Sequence, residues 1–486
     1  PEVIVSIPKP GRSFTLSSGE SISIASVSRL HSYRLVYAMY LEFLEEEGKR
    51  LCSATGSDIQ EFVRTRRLGY SLCVKLMETL LPVRRTRMQC VDSFQSDAFE
   101  AFDTTFACII ELKEKGKISE SEAVDLQRRF RVALNYLSGY YRMHLSVSST
   151  CSSHCMTFAL SDRANKEFRS SCDHEHEMSC DQCSDVFAVF VQFKSFLKEK
   201  ADDAHKKLDS DRFRLSRMVE ECVESESRVA EYQKHIIRAA MSELDRIDVM
   251  DSLADSWSLV TMDFSLKLMP SGFIESQSQW YGKAGISFHI SHVLANMGGS
   301  QVHHTLGHLN DDAKQDSLAV CIIVDHLFQV LSQNGVRNVV LRSDNAANYR
   351  NAAVIYTLRM VANKYGLTLV AYLFSEAQSG KGSADRQISH AKRKLIDEVD
   401  KGGYGRDAAE ILKSLTTSPL LKCFSFYQVT GQLVNAASSS IPGIASLGSF
   451  QYEANGLRIR KHNSIGEDSR ARRPSYNESW FLGRVK

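Results

Sequence analysis

Val339-Val340-Leu341-Arg342-Ser343-Asp344-Asn345 decides the reading of this chain. A short apolar run over Asn338–Arg342 predicts a buried strand, and an aspartate follows directly at its carboxyl end. Open α/β sheets place their ligands at that end of a strand. Working outward, short apolar runs alternate with helical stretches, the texture of an α/β domain. Strands are expected at Trp257–Phe264, Gly285–Leu294 and Gln301–Leu309, the three forming an antiparallel meander. Ala313–Gln333 reads as a helix before the quoted strand. Asn348–Tyr365 is a helix after it, followed by a strand at Leu367–Phe374 and a helix at Ala384–Val399. The expected order is β-β-β-α-β-α-β-α.

Three aspartates fall at telling places in that order. Asp263 lies inside the first strand, in Val260-Thr261-Met262-Asp263-Phe264. A carboxylate there is costly unless it meets a partner or a metal. Asp344 ends the fourth strand. Asp385 opens the last helix, after the glycine-containing loop Gln378-Ser379-Gly380-Lys381-Gly382-Ser383. Glu376, at the end of the fifth strand, is the rival third ligand. Phosphodiester cleavage needs such groups, because charge builds on the attacking and leaving oxygens and two hard cations can stabilise both. Mg²⁺ takes one or two carboxylates plus water and phosphate, so three aspartates suffice for Mg²⁺ or Mn²⁺.

The element order is that of the RNase H-like fold, and the motifs carry a resemblance. Leu341-Arg342-Ser343-Asp344-Asn345-Ala346-Ala347-Asn348-Tyr349 resembles the second acidic motif of integrases and DDE-type transposases. Gln378 to Ile388 resembles the third motif, where a Gly-rich turn leads into a helix bearing Glu or Asp, and Met262-Asp263-Phe264 is similar to the first. Asp385 departs from the commoner Glu, and its position 41 residues after Asp344 is longer than the usual spacing. The motif order, with Trp280 and Tyr281 nearby and a helical, Cys/His-rich front half, is similar to the Kyakuja–Dileera–Zisupton type. The resemblance covers roughly residues 255–400. It implies a DNA transposase in which Asp263, Asp344 and Asp385 cut and join strands. Relatives in this reading are a catalytically idle, transposase-derived DNA-binding or scaffold protein, and a nuclease of the same fold that cuts without joining. Lys381, Arg386, His390 and Arg393 flank the third carboxylate. Arg386, His390 and Arg393 share a helix face able to grip a phosphate backbone.

The front half is helical. Residues 1–28 look extended, 29–145 form a helical, DNA-binding candidate, 146–185 a Cys/His region, 186–254 a long helical region, 255–400 the catalytic candidate, and 401–486 a region with a basic tail. Ser119-Glu120-Ser121-Glu122 is a capping box, Gly116 is expected to end the preceding helix, and Asp209-Ser210-Asp211 is expected to interrupt the long helical region. Cys172, His174, His176, Cys180 and Cys183 fall within twelve positions. Cys180-x-x-Cys183 is a zinc-knuckle spacing, and with Cys172 and either His176 or His174 it is expected to close a structural Zn²⁺ site. Cys151, His154 and Cys155 offer replacements. His303, His304 and His308 are expected to face the surface or substrate.

The chain has 486 residues, room for roughly two to four domains. Its net charge of +2 predicts no polyanion partner by itself. The distribution says more, because seven basic residues stand against one acid between Val63 and Arg87, Arg64, Arg66 and Arg67 among them. Eight stand against three acids from Gly456 to Lys486. Local surplus of this kind neutralises phosphates. No apolar run is long enough to span a bilayer, and Pro1-Glu2-Val3-Ile4-Val5 does not open as a signal peptide does. The expected partners are transposon ends and target DNA, with a homo-oligomer to hold two ends, in the nucleus.

Overall fold

In the computed structural model the residues described are 58–80, 92–204, 209–311, 314–376, 382–417, 421, 423–430, 440–454 and 456–463. Short strands at 4–6, 12–15, 21–24, 27–29, 469–471 and 484–485 and residues 37, 40, 41 and 44 are described as well. The chain divides into two units, Pro1–Cys155 with His174–Ile236, and Met156–Asp173 with Ile237–Lys486.

The first unit is helical. Its main elements are α1 (Ser93–Glu114), α2 (Glu120–Asn135), α3 (Asp181–Ala204) and the leading part of α4 (Asp209–Asp251). Gly116 follows α1 at φ +64°, a left-handed conformation that suits a residue without Cβ. The capping box at Ser119 and Glu122 then starts α2. Phe102, Phe130, Phe190 and Phe193, from three helices, interlock. Phe130 meets Phe190 edge-on at 4.9 Å and Phe193 at 5.7 Å. Edge-to-face contact at such distances uses the ring quadrupole as well as burial. Asp209-Ser210-Asp211 stands where the helical region divides: α3 ends at Ala204, and these residues open α4, which runs on for 43 residues. At the front, Ile4–Ser6 pairs with Val27–Arg29 and Arg12–Thr15 with Ser21–Ile24.

The second unit is built on a mixed sheet. Its strands are β1 (Trp257–Phe264), β2 (Ser287–Met297), β3 (Ser300–Asn310), β4 (Asn338–Ser343), β5 (Thr368–Phe374), β6 (Phe424–Thr430), β7 (Ser449–Glu453) and β8 (Gly456–Arg460). β1, β2 and β3 form an antiparallel meander. The β2–β3 turn is the two-residue Gly298-Gly299, both at positive φ, as a tight hairpin of matched twist requires. β4 joins β1 in parallel and β5 joins β4 in parallel. The central order is therefore β3-β2-β1-β4-β5. The region after residue 401 extends this sheet at both edges. β6 runs parallel to β3, while β7 and β8 add antiparallel strands beyond β5. A short strand, Ser271–Gly272, and a short helix, Gln277–Tyr281, stand between β1 and β2.

Helices cover both faces. α5 (Ser317–Gln333) and α6 (Ala352–Lys364) bury Val324, Leu327, Phe328, Ile355 and Leu358 against Val260, Met262, Val293 and Leu341. On the other face α7 (Ser383–Asp400) and α8 (Ala408–Thr416) bury Ile388, Ala391, Ile411 and Leu415 with Phe288 and Ile290. Val249 and Met250, in the last turns of α4, cover Leu259, Val340 and Leu373 on that same face. The strands are thus buried on both sides, which explains the apolar run Val339-Val340-Leu341 in β4. Leu341→Ala, at a fully buried position, should cost about 2–5 kcal/mol of unfolding free energy, read by urea denaturation. Ser119→Ala, which removes a cap in the other unit, should cost about 1 kcal/mol.

Candidate functional site

Strand register brings the acidic residues together. Met262 pairs with Ser343 across β1 and β4, so Asp263 and Asp344 are the next residues along two parallel strands and lie at the same end of the sheet. Asp385 lies in the first turn of α7, where its Oδ2 accepts the Gly382 N–H at 3.0 Å. The Asp385 carboxylate lies near enough to Asp263 for its charge to act on it. Burial, then the charges of Asp385 and Asp344, push Asp263 up to about 8. Burial likewise raises Asp344, against a 3.2 Å hydrogen bond from the Ala346 N–H, and the Asp385 charge adds to the rise. Carboxyl groups crowded in a partly buried site disfavour one another's charged form, and a cation or a proton relieves that. Tyr349 is fully buried beside this group. Its phenol is held well above its ordinary value by burial and by Asp263 and Asp344.

A cleft of about 210 Å³ opens here, lined by Asp263, Asp344, Ser383, Arg246, Arg342 and Arg386 among others. Arg342 is buried, which lowers its guanidinium to about 10. Its Nη2 donates to Ser242 Oγ at 3.0 Å. Arg246 forks onto Glu243 at 2.6 and 3.0 Å. The exposed Arg386 completes a cationic wall over an acidic floor. Glu376, the rival third ligand, is bound to Arg238 at 2.8 Å. Asp385 is the carboxylate that reaches Asp263.

α7 carries its chemistry on two faces. Ala384, Ile388 and Ala391 point inward, while Arg386, His390 and Arg393 are exposed. Lys381 lies outside the described residues. Arg64 and Arg66 are exposed on the helix Ile59–Arg66, and Arg67 is exposed just after it. Arg64 forks onto Glu61, and Arg66 stacks over Phe62 at 4.1 Å. Arg84, Arg85 and Arg87 lie outside the described residues.

Residues 248–418 match the model of a family described as a domain of unknown function, DUF8701. No curated protein matches the chain. The matched stretch takes in β1 to β5, α7 and α8, and with them all three aspartates.

The histidines of β3 differ from expectation. His308 is fully buried, because β6 and α5 cover its end of the strand, and its Nε2 bonds to His326 Nδ1 at 3.0 Å. His304 is half-buried against Ser425 at 3.0 Å. His303 is exposed, with Nδ1 3.4 Å from His292 Nε2.

The cysteine and histidine residues form groups that could hold a metal ion such as zinc, but not the single set Cys172, His176, Cys180 and Cys183. In one group the ligand atoms of Cys155, His174 and His176 lie within 4.8 Å of one another. In another, those of His144, His154 and Cys180 do. Cys183 joins the second group, its Sγ 3.1 Å from His154 Nε2. His176 and Cys180 therefore belong to different groups, because the chain enters α3 directly after Cys180 and turns Cys183 back toward His154. Cys172 is half-buried and precedes His174 by two residues. Among the described residues the Cys/His groups are the ones gathered this closely; the three aspartates are more openly spaced. No helix among the described residues is long and apolar enough to cross a membrane.

Asp263 titrates above its ordinary 3.8, so burying it costs the fold nothing below about pH 4. The cost grows as pH rises toward about 8. Asp263→Asn should leave stability unchanged near pH 4 and raise it near pH 8, in urea titrations without added divalent metal. Equal effects at both pH values would contradict a charge-crowded Asp263.

Proposed function

We propose that the second unit is an RNase H-like nuclease core of the DDE/D transposase kind, with Asp263, Asp344 and Asp385 as its metal-binding catalytic residues. The observation that carries this reading is the placement of Asp263 and Asp344 at the carboxyl end of two central parallel strands, with Asp385 near enough for its charge to act on Asp263. The order β3-β2-β1-β4-β5, with a meander followed by two parallel strands, supports it. So does the pairing of an acidic floor with arginines, which suits a phosphodiester better than a neutral substrate.

Asp263 and Asp385 lie close together in a half-buried site, which favours a cation over two bare charges. Asp344 approaches from the neighbouring strand end. Mg²⁺ or Mn²⁺ bound there would stabilise the attacking and leaving oxygens of the phosphodiester. Arg386, His390 and Arg393 run along the exposed side of α7, starting one residue from the third carboxylate, and hold the DNA backbone in register. Arg342 and Arg246 supply fixed positive charge from the cleft wall. Arg64, Arg66 and Arg67 form a second phosphate-binding patch. Joining two transposon ends to a target calls for a homo-oligomer acting in the nucleus.

The test is cleavage and joining of labelled duplex DNA with Mg²⁺ or Mn²⁺ at constant zinc. Asp344→Ala should lower the rate at least about 100-fold, since even outer-shell partners of a metal ligand are worth 10–100-fold. Wild-type protein that binds neither metal nor cleaves, with DNA present, overturns the reading. Arg386→Ala with Arg393→Ala should weaken duplex binding and reduce its salt slope by about 1 for each phosphate no longer neutralised, measured by fluorescence anisotropy over a salt series.

A further inference from the structure

Tyr136 opens a π-helical turn, Tyr136–Tyr140, that follows α2. π-turns inside helices recur at functional positions. The Tyr136 hydroxyl lies 3.1 Å from His144 Nδ1, 3.2 Å from His154 Nε2, 3.1 Å from Cys183 Sγ and 3.6 Å from Cys180 Sγ. A phenol has one proton to donate and limited acceptor capacity, so it cannot serve four such partners well. The four side chains are arranged around a point rather than around a phenol.

Their spacing suits an ion. Zinc bonds of about 2.0–2.3 Å in a tetrahedron place the ligand atoms about 3.3–3.8 Å apart. His154 Nε2 and Cys183 Sγ are 3.1 Å apart, and the ligand atoms of His144, His154 and Cys180 fall within 4.8 Å of one another. Cys180 and Cys183 are free thiols. The support around them is firm. Tyr141 OH donates to the Ser153 carbonyl at 2.8 Å, and the Ser146 N–H donates to the His154 carbonyl at 3.1 Å. These bonds hold the loop that carries His154 against the turn that carries His144.

We propose that His144, His154, Cys180 and Cys183 bind a zinc ion of their own, separate from any ion held by Cys155, His174 and His176, and that the Tyr136 hydroxyl stands in the ion's place and withdraws when it binds. Four protein ligands close the coordination sphere, so the ion is structural. It ties three places in the first unit: the turn after α2, the loop at His154 and the start of α3. The neighbours His154 and Cys155 serve different ions, which gives the ligands a nested order along the chain. The inner set lies between His154 and Cys180, and the outer set encloses it.

The test uses the full chain loaded with zinc, then stripped and reloaded with Co²⁺ as a spectroscopic probe. Cys180→Ser with Cys183→Ser should lose one zinc equivalent per chain and keep the remainder. His144→Cys should keep the full zinc content and add one thiolate's share to the thiolate-to-cobalt charge-transfer absorption. That gain stays readable even if the double variant fails to fold. Tyr136→Phe should bind zinc with a Kd equal to or below that of the wild type. Unchanged zinc content in the double variant, or an unchanged cobalt spectrum in His144→Cys, overturns the site. Weaker zinc binding in Tyr136→Phe overturns the displacement and makes the phenol a ligand.

Discussion

The crowding of Asp263, Asp344 and Asp385 at one end of a buried sheet is the constraint on which the second unit turns. A single carboxylate at a strand end can reach water. Three of them close together raise one another's proton affinity unless a counterion is present. The fold tolerates this because the strands beneath are held on both faces by apolar helices. The cost of the acidic cluster is carried by a core that does not contain it. The same register that pairs Met262 with Ser343 also aligns Asp263 with Asp344, while Asp385 comes from the first turn of α7.

The arginines around the cleft repeat that logic with opposite sign. Arg342 extends from a buried strand and is held by Ser242 and near Glu243. Its charge is fixed in position and cannot be hydrated freely, which makes it a stronger local field than an exposed side chain. Arg386, by comparison, stands open to water. The cleft thus sets an acidic floor against one rigid buried cation and one exposed cation.

In the first unit, the physical problem is the reverse. Phe102, Phe130, Phe190 and Phe193 supply a dense aromatic core for the helices, but the Cys/His stretch between α2 and α3 has few large apolar side chains. Such a stretch is held by hydrogen bonds of its backbone and side chains, among them Ser146 N–H to the His154 carbonyl and Tyr141 OH to the Ser153 carbonyl. Thiols and imidazoles from distant positions come together there because α3 begins directly after Cys180 and the π-turn presents Tyr136 and His144 on the same side.

Much of this was legible in the amino-acid sequence. The apolar runs at Trp257–Phe264 and Asn338–Arg342, the capping box at Ser119 and the helix at Ala384–Val399 all depend on local periodicity and local hydrogen bonds, which neighbours in sequence decide. The edge strands β6, β7 and β8 alternate polar and apolar residues, as in Phe424-Ser425-Phe426 and Gly456-Leu457-Arg458-Ile459, but nothing local says which edge they join. The burial of His308 was not legible, because it comes from β6, more than a hundred residues away. The division of the Cys/His residues was hidden for the same reason. Spacing brings Cys180 and Cys183 together, and only the path of the chain sends His176 elsewhere and returns His144 and His154. Sequence alone determined the elements and the placement of each aspartate at an element's end. Tertiary structure decided which side chains share a site, since that depends on register and on contacts between segments far apart in the chain.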